Sequence, residues 1–302
     1  MTILVVGSVA LDTLKTIHGK KTGLLGGSAV YFSVAASFFT DVRLVGVVGD
    51  DFPQEHLDFL ERKNIDTSGL TVVKGGKTFH WNGEYGENHN IAITHDTQLG
   101  VFAEFKPRLP EGWDTSPYLF LGNIDPTLQL EVRRKMKPET MVAMDTMNYW
   151  IQGAPAELDR ILAEVDLLII NDGEAKLMSG ERNEIAAAEA VLEKGPKVVV
   201  VKKGEHGVFL CVGTVCFYAP AYPLRQVIDP TGAGDTFAGG LMGYLASVQA
   251  SPTDEEALRR ACIYGSVMAS FTVEDWSLDR LKTATREEID LRYNAFSKLM
   301  HF

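Results

Sequence analysis

The segment "IDPTGAGDTFAGG", residues 228–240, places small residues and a carboxylate at the start of an apolar run that predicts a helix. Gly232, Ala233 and Gly234 have little or no side chain, so the backbone N–H groups at the helix start are open to a ligand. Together with the helix dipole, these N–H groups form an anion site that needs no lysine. The carboxylate of Asp235 would repel a bound phosphate, but it suits a general base that takes a proton from an attacking hydroxyl.

The same segment also has a purely structural interpretation. Its glycines can serve only to let the helix pack closely against its neighbours, because a glycine has no side chain to intervene. The carboxylate of Asp235 can serve only to cap the first turn. The residue types alone leave both interpretations open.

Composition limits the class of partner. The chain has 302 residues and a formal net charge of −11, which argues against nucleic acid or an anionic membrane as the main partner. A small anionic substrate needs only a local positive site. The apolar start "MTILVVGSVALD" is too short to span a membrane and lacks the basic residues of a signal peptide. We therefore expect a soluble, cytoplasmic protein with a small-molecule substrate.

The chain contains three cysteines, and two of them lie close together in sequence. Cys211 and Cys216 belong to "VFLCVGTVCFY", which predicts a β-hairpin, so the two side chains can lie near each other across its strands. In a cytoplasmic protein we interpret them as reduced packing residues.

Short β-branched runs alternate with helical patterns along most of the chain. Continuous apolar strands separated by helices predict a mostly parallel sheet that helices cover on both faces. Three helices are predicted near the end, at about residues 233–250, 254–271 and 286–299. Two segments break this pattern, at about residues 12–25 and 71–101. Both are rich in Thr and Gly, the second also has Asn and aromatic residues, and we expect short strands that form a lid over a site.

Three other motifs are weaker than they first look. "GGKT" resembles the end of a phosphate-binding loop, but Thr71 occupies the position of the leading glycine and an aromatic strand follows. The first strand is not followed by GxGxxG, which argues against a dehydrogenase. A histidine and glutamate cluster fits no zinc spacing, and we interpret it as polar residues on a solvated lid: His80, Glu84, Glu87, His89 and His95.

The segment "DPTGAGDTF" resembles the signature of the ribokinase family, also called the PfkB family of carbohydrate kinases, usually written DTxGAGDxF. Other stretches match the family in order: "GGSAVYFSVAA" from Gly26, "GVVGDDF", "NDGE" as its NxxE motif, and "VKKGEHG" from Lys202. The resemblance covers nearly the full chain. It implies a three-layer α/β fold with a central, mostly parallel sheet between helices and a small β lid. A single kinase domain over residues 1–302 would carry the two lid segments as insertions.

The resemblance also implies an activity, which is transfer of the γ-phosphate of ATP to a hydroxymethyl group of a small sugar or nucleoside. Asp235 would be the general base, and the N–H groups of Gly232, Ala233 and Gly234 would hold the transferred phosphoryl group. Glu174, with Asn171, would hold Mg²⁺, largely through water. Asn171 and Glu174 also fit a helix cap with an acid in the first turn.

Further positions are assigned by the same resemblance. Nucleotide binding falls to Lys202, Gly204, Gly207 and Thr231. Asp229, with Thr231, matches a position where relatives bind K⁺. The acceptor hydroxyls would be bound by Asp12, Gly26, Gly27 and Ser28. A carboxylate can accept two neighbouring hydroxyl groups, and glycines let a sugar ring approach the backbone. Ser28 stands where many sugar kinases carry Asn.

Two other functions would require different residues at these positions. A non-catalytic protein that binds nucleotide or sugar would lack the base or the metal ligand, whereas Asp235 and Glu174 are both present. A dehydrogenase would need a dinucleotide-binding GxGxxG loop, and no such loop follows the first strand.

The acceptor depends on the lid, where Phe79, Trp81 and Tyr85 share one face of a predicted strand. They suit stacking on a nucleoside base, or burial in the lid interface of a homodimer, which the resemblance also implies.

Overall fold

The computed structural model describes residues 1–301. Its strands are β1 (Thr2–Val6), β2 (Ala10–Thr16), β3 (Gly19–Gly26), β4 (Asp41–Gly49), β5 (Ile65–Val73), β6 (Phe79–Tyr85), β7 (Ala92–Gln98), β8 (Tyr118–Leu121), β9 (Met141–Met144), β10 (Leu167–Asn171), β11 (Val198–Lys202), β12 (Val208–Val212) and β13 (Val215–Ala219). Its α-helices are α1 (Ser28–Ala36), α2 (Gln54–Arg62), α3 (Pro126–Lys135), α4 (Asn148–Gly153), α5 (Pro155–Leu162), α6 (Asp172–Ser179), α7 (Glu184–Leu192), α8 (Ala233–Ser247), α9 (Glu255–Thr272), α10 (Asp279–Thr283) and α11 (Arg286–Met300).

The main sheet has nine strands in the order β13-β12-β11-β10-β9-β8-β1-β4-β5. Every pair from β11 to β5 is parallel, and only the two pairs at the β13 edge are antiparallel. Because parallel strands need crossover connections, helices lie between them in sequence and cover the sheet. The predicted, mostly parallel sheet is therefore confirmed.

Two hydrophobic cores lie on opposite faces of this sheet. Ile3 and Val5 of β1 belong to one core, and Leu4 and Val6 belong to the other. Successive side chains of a strand point to opposite faces, so this division shows that both faces are buried. Helices α1, α8, α9 and α11 contribute to the first core, and α3, α5 and α7 to the second. These layers confirm the predicted three-layer fold.

A second, four-stranded sheet has the order β3-β2-β6-β7 and forms the predicted lid. Two antiparallel hairpins, β2–β3 and β6–β7, are joined through a parallel pairing of β2 with β6. Residues Thr71–Val73, expected in the lid segment, instead extend β5 and pair with β4 of the main sheet. Their β-branched side chains continue the strand, so the lid begins only after the turn that follows.

Helix prediction near the end of the chain was incomplete. The three predicted helices correspond to α8, α9 and α11, but the short helix α10 lies between the last two. Five residues are too few to show a helical period, which explains why the pattern did not reveal it. No helix within residues 1–301 is both long and apolar enough to cross a membrane.

Glycines allow helix α8 to lie very close to its neighbours. A Cβ placed on Gly239 would be 2.3 Å from the carbonyl oxygen of Phe32 in α1. One placed on Gly240 would be 2.7 Å from Cγ of Met268 in α9. The packing role expected of glycines in this region therefore applies to this part of α8, one to two turns beyond Asp235.

We expect Gly239→Ala to lower the free energy of unfolding by about 1–3 kcal/mol, because its Cβ must displace the backbone of α1. Urea unfolding measures the change. The matched control is Gly153→Ala at the end of α4, where an added Cβ meets no heavy atom within 4 Å. We expect it to change stability by less than about 0.5 kcal/mol. Equal losses in the two variants would refute the packing explanation.

Candidate active site

The proposed site lies where the carboxyl ends of the parallel strands meet the start of α8. Asp145 follows β9, Asn171 ends β10, and Lys202 ends β11. These three strands are adjacent in the sheet, so their ends are neighbours. In open α/β sheets, ligands bind in the crevice outside the carboxyl ends of the strands.

The start of α8 has the open backbone that the sequence predicts. Gly232 precedes the helix with φ of 72°, and a Cβ there would overlap the ring of Tyr31. The N–H groups of Gly234 and Asp235 have no backbone acceptor in the described part of the chain. The N–H of Ala233 instead donates to the carbonyl oxygen of Pro230, at 3.2 Å. The two unpaired N–H groups therefore point to an anion site next to Asp235.

A lysine also lies at this anion site. Nζ of Lys202 is 2.9 Å from the position that a Cβ on Gly234 would occupy. The sequence predicts an anion site built from N–H groups, and the structure adds the ammonium of Lys202 beside them. The end of β11 directs this side chain toward α8, and only the packing of strand against helix reveals that approach.

Asp145 is a functional candidate that the sequence analysis missed. Its side chain is 5% exposed, and its carboxyl group lies close enough to that of Asp235 for each to influence the pKa of the other. Its Oδ1 has no hydrogen-bond partner among residues 1–301. The signal was present in "MVAMD", where an acid directly follows an apolar strand, but a single residue does not form a motif.

Burial raises the pKa of both carboxyl groups. It raises that of Asp145 well above its usual value, and the neighbouring Asp235 contributes to that rise. Burial also raises the pKa of Asp235, but the ammonium of Lys202 opposes that rise. Lys202 therefore favours the ionised form of Asp235, which a general base requires. An ionised carboxylate with a raised pKa is a stronger base than an exposed one.

The "NDGE" segment forms a helix cap at the start of α6. The N–H of Glu174 donates to Oδ1 of Asn171, and the N–H of Asn171 donates to Oε2 of Glu174, both at 2.8 Å. The predicted cap is therefore present. Glu174 is 8% exposed, and burial raises its pKa against the opposing effect of Lys202.

Two carboxyl oxygens near the start of α6 take part in none of these hydrogen bonds, and they suit magnesium. Oε1 of Glu174 and Oδ1 of Asp145 take no part in the bonds described above, and both belong to carboxyl groups that Lys202 influences. Mg²⁺ prefers such hard oxygens and is usually held by one or two carboxylates, several waters and substrate phosphates. The residues present fit that ion.

The glycines predicted to bind nucleotide lie in a turn after β11. Gly204 and Gly207 have φ of 55° and 96°, so each occupies a conformation that disfavours other residues. A Cβ on Gly204 would be 2.0 Å from Oδ1 of Asn90, which lies between β6 and β7 at the tip of the lid. Asn90 also donates to the carboxylate of Glu205. The lid therefore touches the nucleotide turn directly.

The predicted acceptor residues lie together where strands β2 and β3 of the lid meet the start of α1. Asp12 of β2 is 3% exposed, and a Cβ on Gly26 would be 2.0 Å from its Oδ2, so the glycine leaves room for the carboxyl group. Gly27 has φ of 99° and approaches the carbonyl oxygen of Ser8. Ser28 and Ser8 bond each other through hydroxyl and backbone groups, at 3.0–3.4 Å. The sequence analysis missed Ser8, which fixes the hydroxyl of Ser28.

Burial, together with the carboxyl groups of Asp229 and Asp235, raises the pKa of Asp12 to about 8. Because the carboxyl groups of Asp229 and Asp235 influence the pKa of Asp12, the acceptor residues and the proposed base lie in one pocket. Burial likewise raises the pKa of Tyr85, with the same three carboxyl groups among the causes. Tyr85 of the lid therefore reaches the same pocket.

The lid aromatics do not act as one surface. Phe79 stacks on Phe102 with ring centroids 5.3 Å apart, so it belongs to the packing between lid and sheet. Trp81 instead meets Tyr85 edge to face at 6.4 Å, and its Nε1 donates to Thr94. Only Trp81 and Tyr85 remain candidates for contact with an acceptor.

Asp229 has a structural role in the described chain. It is fully buried and accepts hydrogen bonds from the N–H groups of Thr231, at 3.0 Å, and Ser277, at 2.8 Å. Burial raises its pKa. Oγ1 of Thr231 is buried without a hydrogen-bond partner among residues 1–301. Carboxylate and hydroxyl oxygens of this kind fit a monovalent cation.

The chain is similar to known carbohydrate and nucleoside kinases. A model of the pfkB family of carbohydrate kinases matches residues 127–280. The cytidine kinase of Thermococcus kodakarensis is 30% identical over 249 residues, which cover 80% of this chain and 88% of that protein. A nucleoside kinase of Burkholderia thailandensis, solved with inosine, has a TM-score of 0.77 at 22% identity and covers 97% of this chain and 98% of its own. An Escherichia coli protein assigned as a ribokinase II, solved with ATP and Mg²⁺, has a TM-score of 0.80 at 17% identity, covering 97% and 99%.

The chain belongs to the pfkB family of carbohydrate kinases. Its activity is ATP-dependent phosphorylation of a hydroxyl group on a sugar or nucleoside. The two solved structures share less than 25% of their residues with this chain, and they show the fold alone.

The raised pKa of Asp12 predicts how stability depends on pH. The unfolded side chain loses its proton near pH 4, whereas the folded one keeps it to about pH 8, so folding becomes less favourable as pH rises between these values. Asp12→Asn removes this dependence. We expect the variant to gain more than about 1 kcal/mol relative to wild type between pH 5 and pH 8, measured by urea unfolding. Exposed Asp159→Asn is the control, and parallel pH profiles for Asp12→Asn and wild type would contradict the assignment.

Proposed function

We propose that the chain phosphorylates the hydroxymethyl group of a nucleoside, within one catalytic domain whose lid covers the acceptor. The observation that carries the catalytic part is the position of Asp235. Its carboxylate lies beside unpaired N–H groups of α8 and beside the ammonium of Lys202. A base and an anion site side by side are what transfer to a hydroxyl group requires.

In the proposed reaction, Asp235 accepts the proton of the acceptor hydroxyl while the oxygen of that hydroxyl bonds to the γ-phosphorus of ATP. The bond from that phosphorus to the bridging oxygen of ADP breaks. The unpaired N–H groups of Gly234 and Asp235, with Lys202, stabilise the negative charge of the transferred group. Magnesium, when bound, neutralises charge on the phosphate oxygens. Glu174 and Asn171 would hold it from one side, and Asp145 lies within the same group of carboxyls.

Nucleotide and cation roles follow the same layout. We assign the nucleotide to the turn containing Gly204 and Gly207, because it directly follows Lys202 at the carboxyl end of β11. We assign K⁺ to Asp229 and Thr231, supported by the unpaired hydroxyl oxygen of Thr231 among the described residues.

A nucleoside is favoured as acceptor over a free sugar. The relative with 30% identity is named a cytidine kinase, and a structural neighbour was solved with inosine. In this chain, Trp81 and Tyr85 add aromatic surface next to Asp12, and base–aromatic stacking contributes about 1–3 kcal/mol in proteins that bind single-stranded nucleic acid. Polar groups of Asp12 would bind the ribose hydroxyls while the rings contact the base.

The lid also supports a homodimer. Strand β7 is exposed along its length and forms one edge of the lid sheet. Ile91 and Ile93 expose 60% and 52% of their surface there. An exposed edge strand with apolar side chains favours pairing with another chain, and we propose a second copy of this one.

Asp235→Asn tests the catalytic assignment. The change keeps the shape of the side chain but removes its ability to accept a proton, so we expect kcat to fall by about 10²- to 10⁴-fold. The affinity for ATP should stay within about threefold of wild type, because the anion site consists of backbone groups and Lys202. Steady-state kinetics with saturating acceptor and equilibrium binding of ATP measure the two quantities. Asp159→Asn is the remote control, and Asp235 is not the base if its own variant keeps kcat within threefold.

The acceptor is tested by comparing kcat/KM for cytidine, adenosine, inosine and ribose. We expect at least one nucleoside to exceed ribose by more than about tenfold. Trp81→Ala should lower the nucleoside value by about 5- to 100-fold and leave the ribose value unchanged, since only the nucleoside has a base to stack. Phe79→Leu is the matched control because that ring packs on Phe102. A preference for free ribose, with Trp81→Ala altering only the mass measured by sedimentation, would assign the aromatic residues to the dimer interface instead.

A further inference from the structure

The hairpin at the edge of the main sheet carries two cysteines directly opposite each other. Cys211 of β12 pairs with Cys216 of β13, and their sulfur atoms are 3.0 Å apart. Both are free thiols in this structure. The proposed catalytic residues lie elsewhere, at the carboxyl ends of β9 to β11 and the start of α8.

The backbone of this hairpin suits a disulfide. Val212 pairs with Val215 across a two-residue turn, so the Val212–Val215 pair is hydrogen-bonded and the next pair, Cys211–Cys216, is not. In a non-hydrogen-bonded pair the Cα atoms lie about 4.5 Å apart, which falls within the range of about 4.4–6.8 Å found for disulfides. The two sulfur atoms can therefore bond with little movement of the strands.

The two thiols differ in accessibility. Cys216 is exposed on the edge strand, whereas Cys211 is buried in the second core. Burial and the neighbouring Cys216 raise the pKa of Cys211, so Cys211 is the weaker nucleophile toward reagents in solution. Cys262 is buried in α9 and is the third free thiol. An external reagent therefore meets Cys216 first, and Cys211 lies within reach of the product.

We propose that Cys211 and Cys216 are a modification site, at which exchange with low-molecular-weight disulfides forms a reversible intramolecular disulfide. The thiolate of Cys216 attacks one sulfur of the external disulfide, whose S–S bond breaks and releases one small thiolate. The thiol of Cys211 then loses its proton and attacks Cys216 Sγ, releasing the second small thiolate. The two protein thiols are oxidised by two electrons, and the external disulfide is reduced to two thiols.

The position of the pair gives this bond a structural consequence. Tyr218, two residues beyond Cys216, donates its hydroxyl to the carbonyl oxygen of His206 in the nucleotide turn. Lys203 of the same turn lies over the ring of Tyr218, at 5.2 Å. A bond between β12 and β13 therefore ties the edge strand that supports this turn to the rest of the sheet.

The test uses the full chain and oxidised glutathione as the external disulfide. After reaction, free thiols are alkylated, and intact mass with peptide mapping identifies the state of each cysteine. We expect the chain to lose the mass of two hydrogen atoms, Cys211 and Cys216 to resist alkylation, Cys262 to remain a thiol, and dithiothreitol to reverse the change. A glutathione adduct that persists on Cys216 beside a free Cys211 overturns the proposal. A covalent dimer through Cys216, or no reaction, also overturns it.

Two variants test whether the disulfide requires a cysteine directly opposite Cys211 or only an exposed thiol on the same strand. Cys216→Ser alters only an exposed side chain and should abolish the reaction. Cys216→Ser combined with Tyr218→Cys keeps an exposed thiol on the same strand and face, two pairs along the hairpin from the Cys211–Cys216 pair. That thiol should acquire glutathione and keep it, because diagonal neighbours on a sheet are about 7–8 Å apart at Cα. An intramolecular disulfide in the double variant would show that direct pairing is not the cause.

Discussion

The candidate site depends on the electrostatic interaction of the Lys202 ammonium group with the carboxyl groups around it. It lowers the pKa of three carboxyl groups, Asp145, Glu174 and Asp235, each of which burial raises. Burying one carboxylate without compensation is unfavourable, and like charges in the same pocket add to that cost. A positive charge at the end of β11 therefore favours the ionised form of Asp235 among other acids.

The parallel sheet supplies this arrangement without a dedicated loop. Strands β9, β10 and β11 are neighbours and run in the same direction, so the residues at their carboxyl ends form one row. Helix α8 brings Asp235 to that row because its glycines allow close packing on α1 and α9. The lid adds Asp12 and Tyr85 from the other side. The close packing of α8 therefore determines the distance between the charges of Asp235 and Lys202, and the strength of their interaction depends on that distance.

Sequence predicted the parts of the site that form continuous patterns. The turn at Gly232 and the cap formed by Asn171 and Glu174 are local, so a few adjacent residues determine them. The positions of Lys202 near α8 and of Asp145 near Asp235 depend on which strands become neighbours, and no local pattern encodes that. The lid aromatics show the same limit, because equal spacing could not reveal that Phe79 packs on Phe102 while Tyr85 turns toward Asp12. Contacts distant in sequence therefore account for most of what was missed.

The same charge balance limits how substrates can enter. A triphosphate brings several negative charges to a pocket that contains the carboxyl groups of Asp12, Asp229 and Asp235, whose pKa values burial raises. A divalent cation that arrives with the nucleotide reduces the repulsion between phosphate and carboxylate oxygens, because both kinds of oxygen bind it. Acceptor hydroxyls carry no charge, and by donating hydrogen bonds to Asp12 they favour its ionised form, since they replace the solvation that burial removes. Bound substrates are thus expected to lower the pKa values that burial raises in the free protein.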